Sequence, residues 1–480
     1  MNKGVLYFSS SVLVCLFCGC VTSESTNQSL YEARREAVNV TVSKDVPDGK
    51  LVMPAPRLEV VSGDFDLLAV INMALENNLS LKAAMLRRSE AFGAITEARS
   101  AALPNLALGG GVTSDVVERG ENPDTYDATL SLNQPLWRSG AISSGIRYAN
   151  LYAAGVDEEI RDEIQGVVQQ VASDYLAVLL SKEMVDVYTE SVAVAERMLD
   201  TAKTKRKAGT ASDYEVLRAE VEVATSKASL IKEQNAMRTA GVRLLQGMGV
   251  DQASRIRITG TLKYEGETND VDSVIMTALI NRPDILRAQA AVAMEQESLN
   301  LVKSEYGFAV DLFAKGSYKN PNPNDDSDDS WGHDASAGVN VSVNLFDGFE
   351  RKGRLSQAES RLRQAKAKLH EAEEAARVEV VRALLDVRNA EELYLSQAKN
   401  IDLSKEALRM LENGFKVGRN TQIEVLDAHS ALIEAMGQYY NAIYSHCIAR
   451  INVLKAAGTL VVTGGDAIRE GGIRLSSVPF

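Results

Sequence analysis

Glu424 and Asp427 lie three residues apart, and on a helix that spacing turns both carboxylates to one side. Paired carboxylates attract cations, and when crowded in a desolvated throat they titrate above their usual range. Spacing alone favours two solvated surface acids. The pattern recurs in the chain: Glu215-Val216-Leu217 parallels Glu424-Val425-Leu426, with Gly209 and Gly418 at matching places upstream. Catalytic chemistry has no comparable foothold. His333, His370, His429 and His446 are scattered without paired metal-ligand spacing, and His429, two residues past Asp427, reads as a helix-surface residue. There is no Gly-rich phosphate loop ending in Lys-Ser/Thr and no Gly-x-Ser-x-Gly elbow. The acidic run between Asn320 and Asp334 lacks the Gly turn and distal Glu of a calcium loop. The expectation is a non-enzyme with no cofactor and no resident metal.

A second chemical signal stands at the start of the chain. Lys3 precedes a mostly apolar stretch, Val5 to Cys18, too short to span a membrane and followed by Gly19-Cys20. A small residue before a Cys resembles the lipobox of bacterial lipoproteins, although Phe17 and Cys18 depart from the usual residues. The expectation is a signal peptide over 1–19 and a lipid on Cys20. Of the four cysteines, Cys15 and Cys18 leave with the signal, so Cys447 remains the one free thiol and no internal disulfide can form.

The net charge of −13 argues against a nucleic-acid partner, because phosphate binding needs concentrated Lys and Arg. Aromatic residues make up 6% of the chain, and its richness in Ala, Leu, Glu and Arg favours long helices. Beyond the signal, no run approaches the ~18 apolar residues of a membrane-spanning helix. If the chain crosses a membrane, it does so with strands.

The elements that position these residues occur twice. Ala74-Leu75-Glu76-Asn77 parallels Ala278-Leu279-Ile280-Asn281 at an offset of 204, and Leu136-Trp137 parallels Leu345-Phe346 at 209. Each copy reads as a helix, a strand pair, a very long helix, a turn and a long helix. The first helix is expected over about 67–101, and its counterpart opens at Asn281-Arg282-Pro283-Asp284 with Pro at the first helical position. Strict alternation marks four strands: Ala335, Ala337, Val339, Val341, Val343 and Leu345 on one face, and Ala128, Leu130 and Leu132 in the first copy. Near-heptad spacing runs through Ile160, Ile164, Val167, Val171, Tyr175 and Val178, and again through Leu355, Ala358, Leu362, Ala365 and Leu369. From Ser139 to Lys207 a continuous helix measures ~100 Å. Gly209 and Gly418 end the long helices, and Ala211-Ser212-Asp213 and Asn420-Thr421 offer caps for the returning ones.

Four half-apolar strands cannot close a barrel alone, and open edges are not tolerated in lipid. Several copies must share one barrel; two would supply eight strands and three would supply twelve. Physics reaches an oligomeric strand barrel with a helical extension and leaves the copy number open.

The segment Gly414-Phe415-Lys416-Val417-Gly418, followed by Glu424-Val425-Leu426-Asp427-Ala428, resembles the second helical turn of the TolC-like outer-membrane efflux family. Arg282-Pro283-Asp284 and the ending Ala456-Ala457-Gly458-Thr459-Leu460 are similar to the same family. The resemblance implies an α+β membrane protein in which duplicated long helical hairpins form a periplasmic helical barrel. Four strands per chain join a trimeric, twelve-stranded outer-membrane β-barrel. It implies a homotrimer in outer-membrane lipid, docked on a periplasmic adaptor and an inner-membrane efflux transporter, with Gly209, Thr210 and Gly418 at the adaptor-facing turns. It also places Glu424, Asp427 and, by repeat, Glu215 at the constriction.

Two positions depart from the family pattern. Where some members lock the gate with a Tyr hydroxyl and an Arg, this chain carries Phe415 and Asn420, with Arg419 one residue earlier, so a lock must use other contacts. The organisation expected is a lipidated linker over 20–64, a first repeat over 65–250, a connector over 251–270, a second repeat over 271–460 and a tail over 461–480. The function expected is an exit channel for small molecules or drugs; the alternatives are a channel for protein secretion and a coiled-coil envelope lipoprotein without a pore.

Overall fold

The structure, a computed structural model, describes residues 60–113, 125–266, 270–320 and 331–460. Cys20, the signal segment, most of the linker, the C-terminal tail and most of both hairpin loops lie outside the described residues.

The first repeat comprises β1 (Ser62–Phe65), α1 (Leu67–Asn77), α2 (Leu79–Ser100), β2 (Asn105–Thr113), β3 (Thr125–Trp137), α3 (Ala141–Lys207) and α4 (Asp213–Met248). The second comprises β4 (Arg255–Ile258), α5 (Val271–Asn281), α6 (Pro283–Ser304), β5 (Ala309–Asn320), β6 (Gly332–Ser342), α7 (Glu350–Lys416) and α8 (Gln422–Ala456). The two long helices, α3 and α7, are each 67 residues and so ~100 Å long at ~1.5 Å per residue. Pro283 stands at the first position of α6, as its fixed φ favours.

The single helix expected over 67–101 is instead two helices broken at Asn78. Its side-chain oxygen accepts from the Ser80 and Leu81 N–H groups, starting α2 while its own ψ of 127° ends α1. The Asn78 amide also donates to the Gly247 carbonyl at 3.0 Å, near the end of α4. The second repeat solves the same problem with a different side chain. Arg282, between α5 and α6, donates to the Ala456 carbonyl at 3.1 Å, at the end of α8. Arg282 also pairs with Asp284 and with Glu379 of α7, which explains the Arg-Pro-Asp sequence as a structural joint. Gly249 and Gly458, both at positive φ, lie so close to these breaks that a Cβ on either would meet neighbouring backbone.

Two strands escaped the sequence reading. β1 and β4 pair in parallel, Ser62 opposite Arg255 through Phe65 opposite Ile258, joining the linker to the connector. Four residues each are too few for alternation to show. The fourth expected strand is also shorter at its end: β6 stops at Ser342, so Val343 and Leu345 lie beyond it.

β2, β3, β5 and β6 form one antiparallel sheet in that order. Register aligns the apolar positions: Leu108 faces Leu130, Leu132 faces Ala314, and Leu312 faces Val339. One face is therefore aliphatic across all four strands, and Leu108 is 80% exposed on it. The other face presents Thr129, Ser131, Lys315 and Ser336. Aromatics mark both ends: Trp331 stacks on Tyr318 at 4.8 Å, and Trp137 on Phe308 at 6.3 Å. About ten residues at ~3.3 Å, tilted ~45°, separate these levels by roughly 25 Å, the height of a membrane strand band. Among the described residues no helix is long and apolar enough to cross a membrane.

α3 is the hub of the helical part, packing on α2, α4, α6 and α8, while α7 packs on α6 and α8. The expected stripe from Ile160 to Val178 is buried throughout, as are Ala358 and Leu362 of α7. α4 packs on α3 and α1, and α7 on α8, α6 and α5, and both keep a run of exposed apolar side chains.

Candidate gate at the hairpin tips

Both helical hairpins turn by the same chemistry. α3 ends in a left-handed Gly209 (φ 73°), whose N–H bonds the Arg206 carbonyl while the Thr210 N–H bonds that of Lys205. α7 ends in Gly418 (φ 75°), with the Gly418 and Arg419 N–H groups on the Phe415 and Gly414 carbonyls. These paired bonds satisfy the last carbonyls and need a residue free to adopt positive φ. The returning helices start with reciprocal caps, Ser212 with Glu215 and Thr421 with Glu424. Arg206 pairs with Asp213 across the first turn.

Glu424 therefore has local work to do. Its carboxylate accepts from the Thr421 N–H at 2.8 Å and the Asn420 amide at 3.2 Å. The Thr421 backbone bond first, and the Asn420 amide next, hold its pKa below the usual carboxylate range. In the single chain the Glu424 charge is thus fixed, against the upward titration expected for a crowded ring. Asp427 is exposed on the same side of α8, beyond the cap. Glu215 is half-buried at the other tip.

Phe415 makes the contact that joins the tips. The Lys205 ammonium, in the last turn of α3, lies 3.6 Å from the centroid of the Phe415 ring. A ring without a hydroxyl holds a cation by its π face. Asn420 binds Glu424 and crowds Gly414, where any Cβ would overlap its amide. Arg419 is exposed and contributes its backbone N–H to the turn. Sequence reasoning missed Lys205 and took Gly414 only as part of the family motif, without its contact to Asn420. A Gly four residues before Gly418 was a usable signal; Lys205 is separated from Phe415 by the whole fold.

His429 is not on the surface. It is 3% exposed, because α8 packs on both α7 and α3 and its Val425–Leu426–His429 side faces inward. Burial lowers its pKa; the backbone of Ser191, Glu412 and Glu190 act against this, and Arg197 adds to it.

Paired strands on long helical hairpins, duplicated and turned at capped tips, match a known family. The family model described as "Outer membrane efflux protein" matches residues 70–250 and 274–459. The chain belongs to this family. The outer membrane protein TolC of Vibrio cholerae is 26% identical over 404 residues, covering 82% of this chain and 91% of that protein. Protein CyaE of Bordetella pertussis is 24% identical over 412 residues, covering 85% and 86%. The solved structure of the outer membrane protein VceC of Vibrio cholerae superposes with a TM-score of 0.69 at 20% identity, covering 82% of this chain and 96% of that one. The chain is an outer-membrane exit channel with the duplicated hairpin fold, and the family consists of channels rather than enzymes.

Proposed function

We propose that this chain is the homotrimeric outer-membrane duct of a tripartite exporter of small molecules, fed by a periplasmic adaptor and an inner-membrane transporter. The observation that carries this reading is a four-stranded sheet, aliphatic on one face and open at β2 and β6, continuous with ~100 Å helices. Open edges in lipid require the strands of further copies. Two helices support closure in the same sense: α4 exposes Leu217, Val221 and Ile231, and α7 exposes Val378, Leu385 and Leu395. Two different apolar faces give a head-to-tail interface, which closes into a ring when the rotation between copies divides the circle.

Within that reading, Glu424 and Asp427, with Glu215, line the inner constriction. The Lys205–Phe415 contact holds it shut. The turns at Gly209, Thr210 and Gly418 meet the adaptor, and Cys20 carries the lipid. Small-molecule cargo rests on the Arg282-Pro283-Asp284 resemblance. Native mass in mild detergent tests assembly: a trimer supports the reading, and a monomer after gentle extraction contradicts it. Deleting the gene tests cargo. Sensitivity to small toxic compounds with unchanged secreted protein supports it; lost secreted protein with unchanged sensitivity moves the duct to protein secretion.

A further inference from the structure

The two long helices leave the sheet at equivalent points of the repeat, which makes one an internal control for the other. Residues 350–368 open α7 and carry seven basic and two acidic side chains, a net charge of +5 in a chain of net −13. The equivalent opening of α3, residues 141–159, carries one basic and three acidic side chains. The same position in the fold is thus basic in one copy only; Arg351 builds the joint, buried against Asp347 and the Glu305 carbonyl, and the other six basic residues are exposed.

The basic residues are ordered. At ~100° per residue, Arg354, Arg361 and Lys368 fall on one flank of α7, seven residues and ~10.5 Å apart. Lys352, Arg363 and Lys366 fall on the opposite flank. Between them run the buried Ala358 and Leu362, packed on Leu299 of α6, and on the far side the small Gly353, Ser360 and Ala367. All six cations are exposed, and among the described residues only Arg354 of them is ion-paired, to Glu305 and Glu350. The acids of neighbouring helices at this level are largely engaged: Glu297 with Arg147, Glu159 with Arg87, Glu158 with Arg161. Glu90 and Glu97 of α2 are exposed.

We propose that the first turns of α7 form a cationic sleeve inside the duct, just below the barrel, which binds anionic groups passing through. This rests on the ring of copies proposed above. α7 packs on α6 along one side and meets the next copy on the other, so one of its two flanks faces the lumen. Both flanks are basic, and the lumen is therefore basic whichever it is. Threefold symmetry repeats the ladder as stacked rings of cations, in a space where carboxylates and phosphates exchange from step to step. Anionic cargo entering past the acidic tips would meet the opposite sign near the exit. The ligand chemistry is a multivalent oxyanion. It comes from the lumen, and an anionic lipid headgroup is the other source the test separates.

The experiment is single-channel recording of the full-length protein with tripolyphosphate added on the barrel side. Two variants neutralise one flank each: Arg354→Gln/Arg361→Gln/Lys368→Gln and Lys352→Gln/Arg363→Gln/Lys366→Gln. The parent should be blocked by tripolyphosphate. One variant should need roughly tenfold more or beyond, and the other should match the parent. Steady parent conductance without block, or equal block in parent and both variants, overturns the sleeve while leaving the duct intact; no parent conductance overturns the duct itself. Block that follows the anionic phospholipid content of the bilayer assigns the ladders to headgroups and overturns a luminal site. If the variants lose their trimer mass, the cations instead pair with Glu90 and Glu97 of the next copy, and the proposal falls.

Discussion

The Lys205 ammonium sits 3.6 Å from the centroid of the Phe415 ring, joining the last turn of α3 to the last turn of α7. The two helices belong to different repeats, and their tips are otherwise stabilised by bonds local to each turn. An exposed cation–π contact contributes roughly 0.5–1 kcal/mol, or about a two- to fivefold population shift. Lys205→Met and Phe415→Leu should each raise the open probability of reconstituted channels by about that factor. The double variant should do no more than either alone, and additive effects would show that the residues act separately.

Gly249→Ala and Gly458→Ala should destabilise the fold at equivalent points of the two repeats. A Cβ at Gly249 would stand 2.5 Å from the Asn77 carbonyl oxygen, and one at Gly458 would stand 2.8 Å from the Arg282 nitrogen. Both glycines are also at positive φ. Backbone cannot rotate away as a side chain can, so each change should cost about 2–4 kcal/mol. Thermal unfolding in detergent measures this, and an unchanged midpoint would mean that the helix ends are loosely seated.

These joints also show where sequence reading succeeds and where it stops. The long helices, the strand alternation and both tip glycines were legible, because each is written in local spacing. Ser212 and Thr421 were among the expected caps for the same reason. The break at Asn78 was not, since an Asn between two helical stretches gains its meaning from Gly247, far along the chain. His429 was misplaced because an exposed and an inward helix face look alike until the second packing partner, α3, is known. The Lys205–Phe415 contact is long-range in the same way.

Acid should loosen the seam between α3 and α8 through His429. Burial lowers its native pKa, so the folded state resists the proton that the unfolded chain accepts near 6.5. The unfolded state then binds more protons below that value, and stability falls as the pH drops from about 7 toward 5. The Ser191 backbone, Glu412 and Glu190 moderate the effect, and Arg197 adds to it. The parent should melt lower at pH 5.5 than at pH 7.5, and His429→Leu should remove most of that difference. An equal pH dependence in the two proteins would assign it to other groups.

Cys20 should carry lipid, given Gly19-Cys20 after an apolar stretch. A clickable fatty-acid analogue fed to cells should label the parent and not Cys20→Ser. Labelling that persists in the variant would place the lipid elsewhere or deny it.

In the proposed duct, the hairpin tips bearing Glu424 and Asp427 are the narrowest, cation-attracting part. Glu424→Gln keeps an acceptor for the Thr421 N–H, so the cap survives while the charge is lost. Combined with Asp427→Asn it leaves the shape of the tip and removes both carboxylates from every copy. Single-channel recording under a potassium chloride gradient is the direct measurement. The parent should conduct with cation preference and be blocked by trivalent cations from the periplasmic side, and the double variant should conduct without either property. A double variant that keeps the parent's selectivity and block would contradict a constriction at these tips.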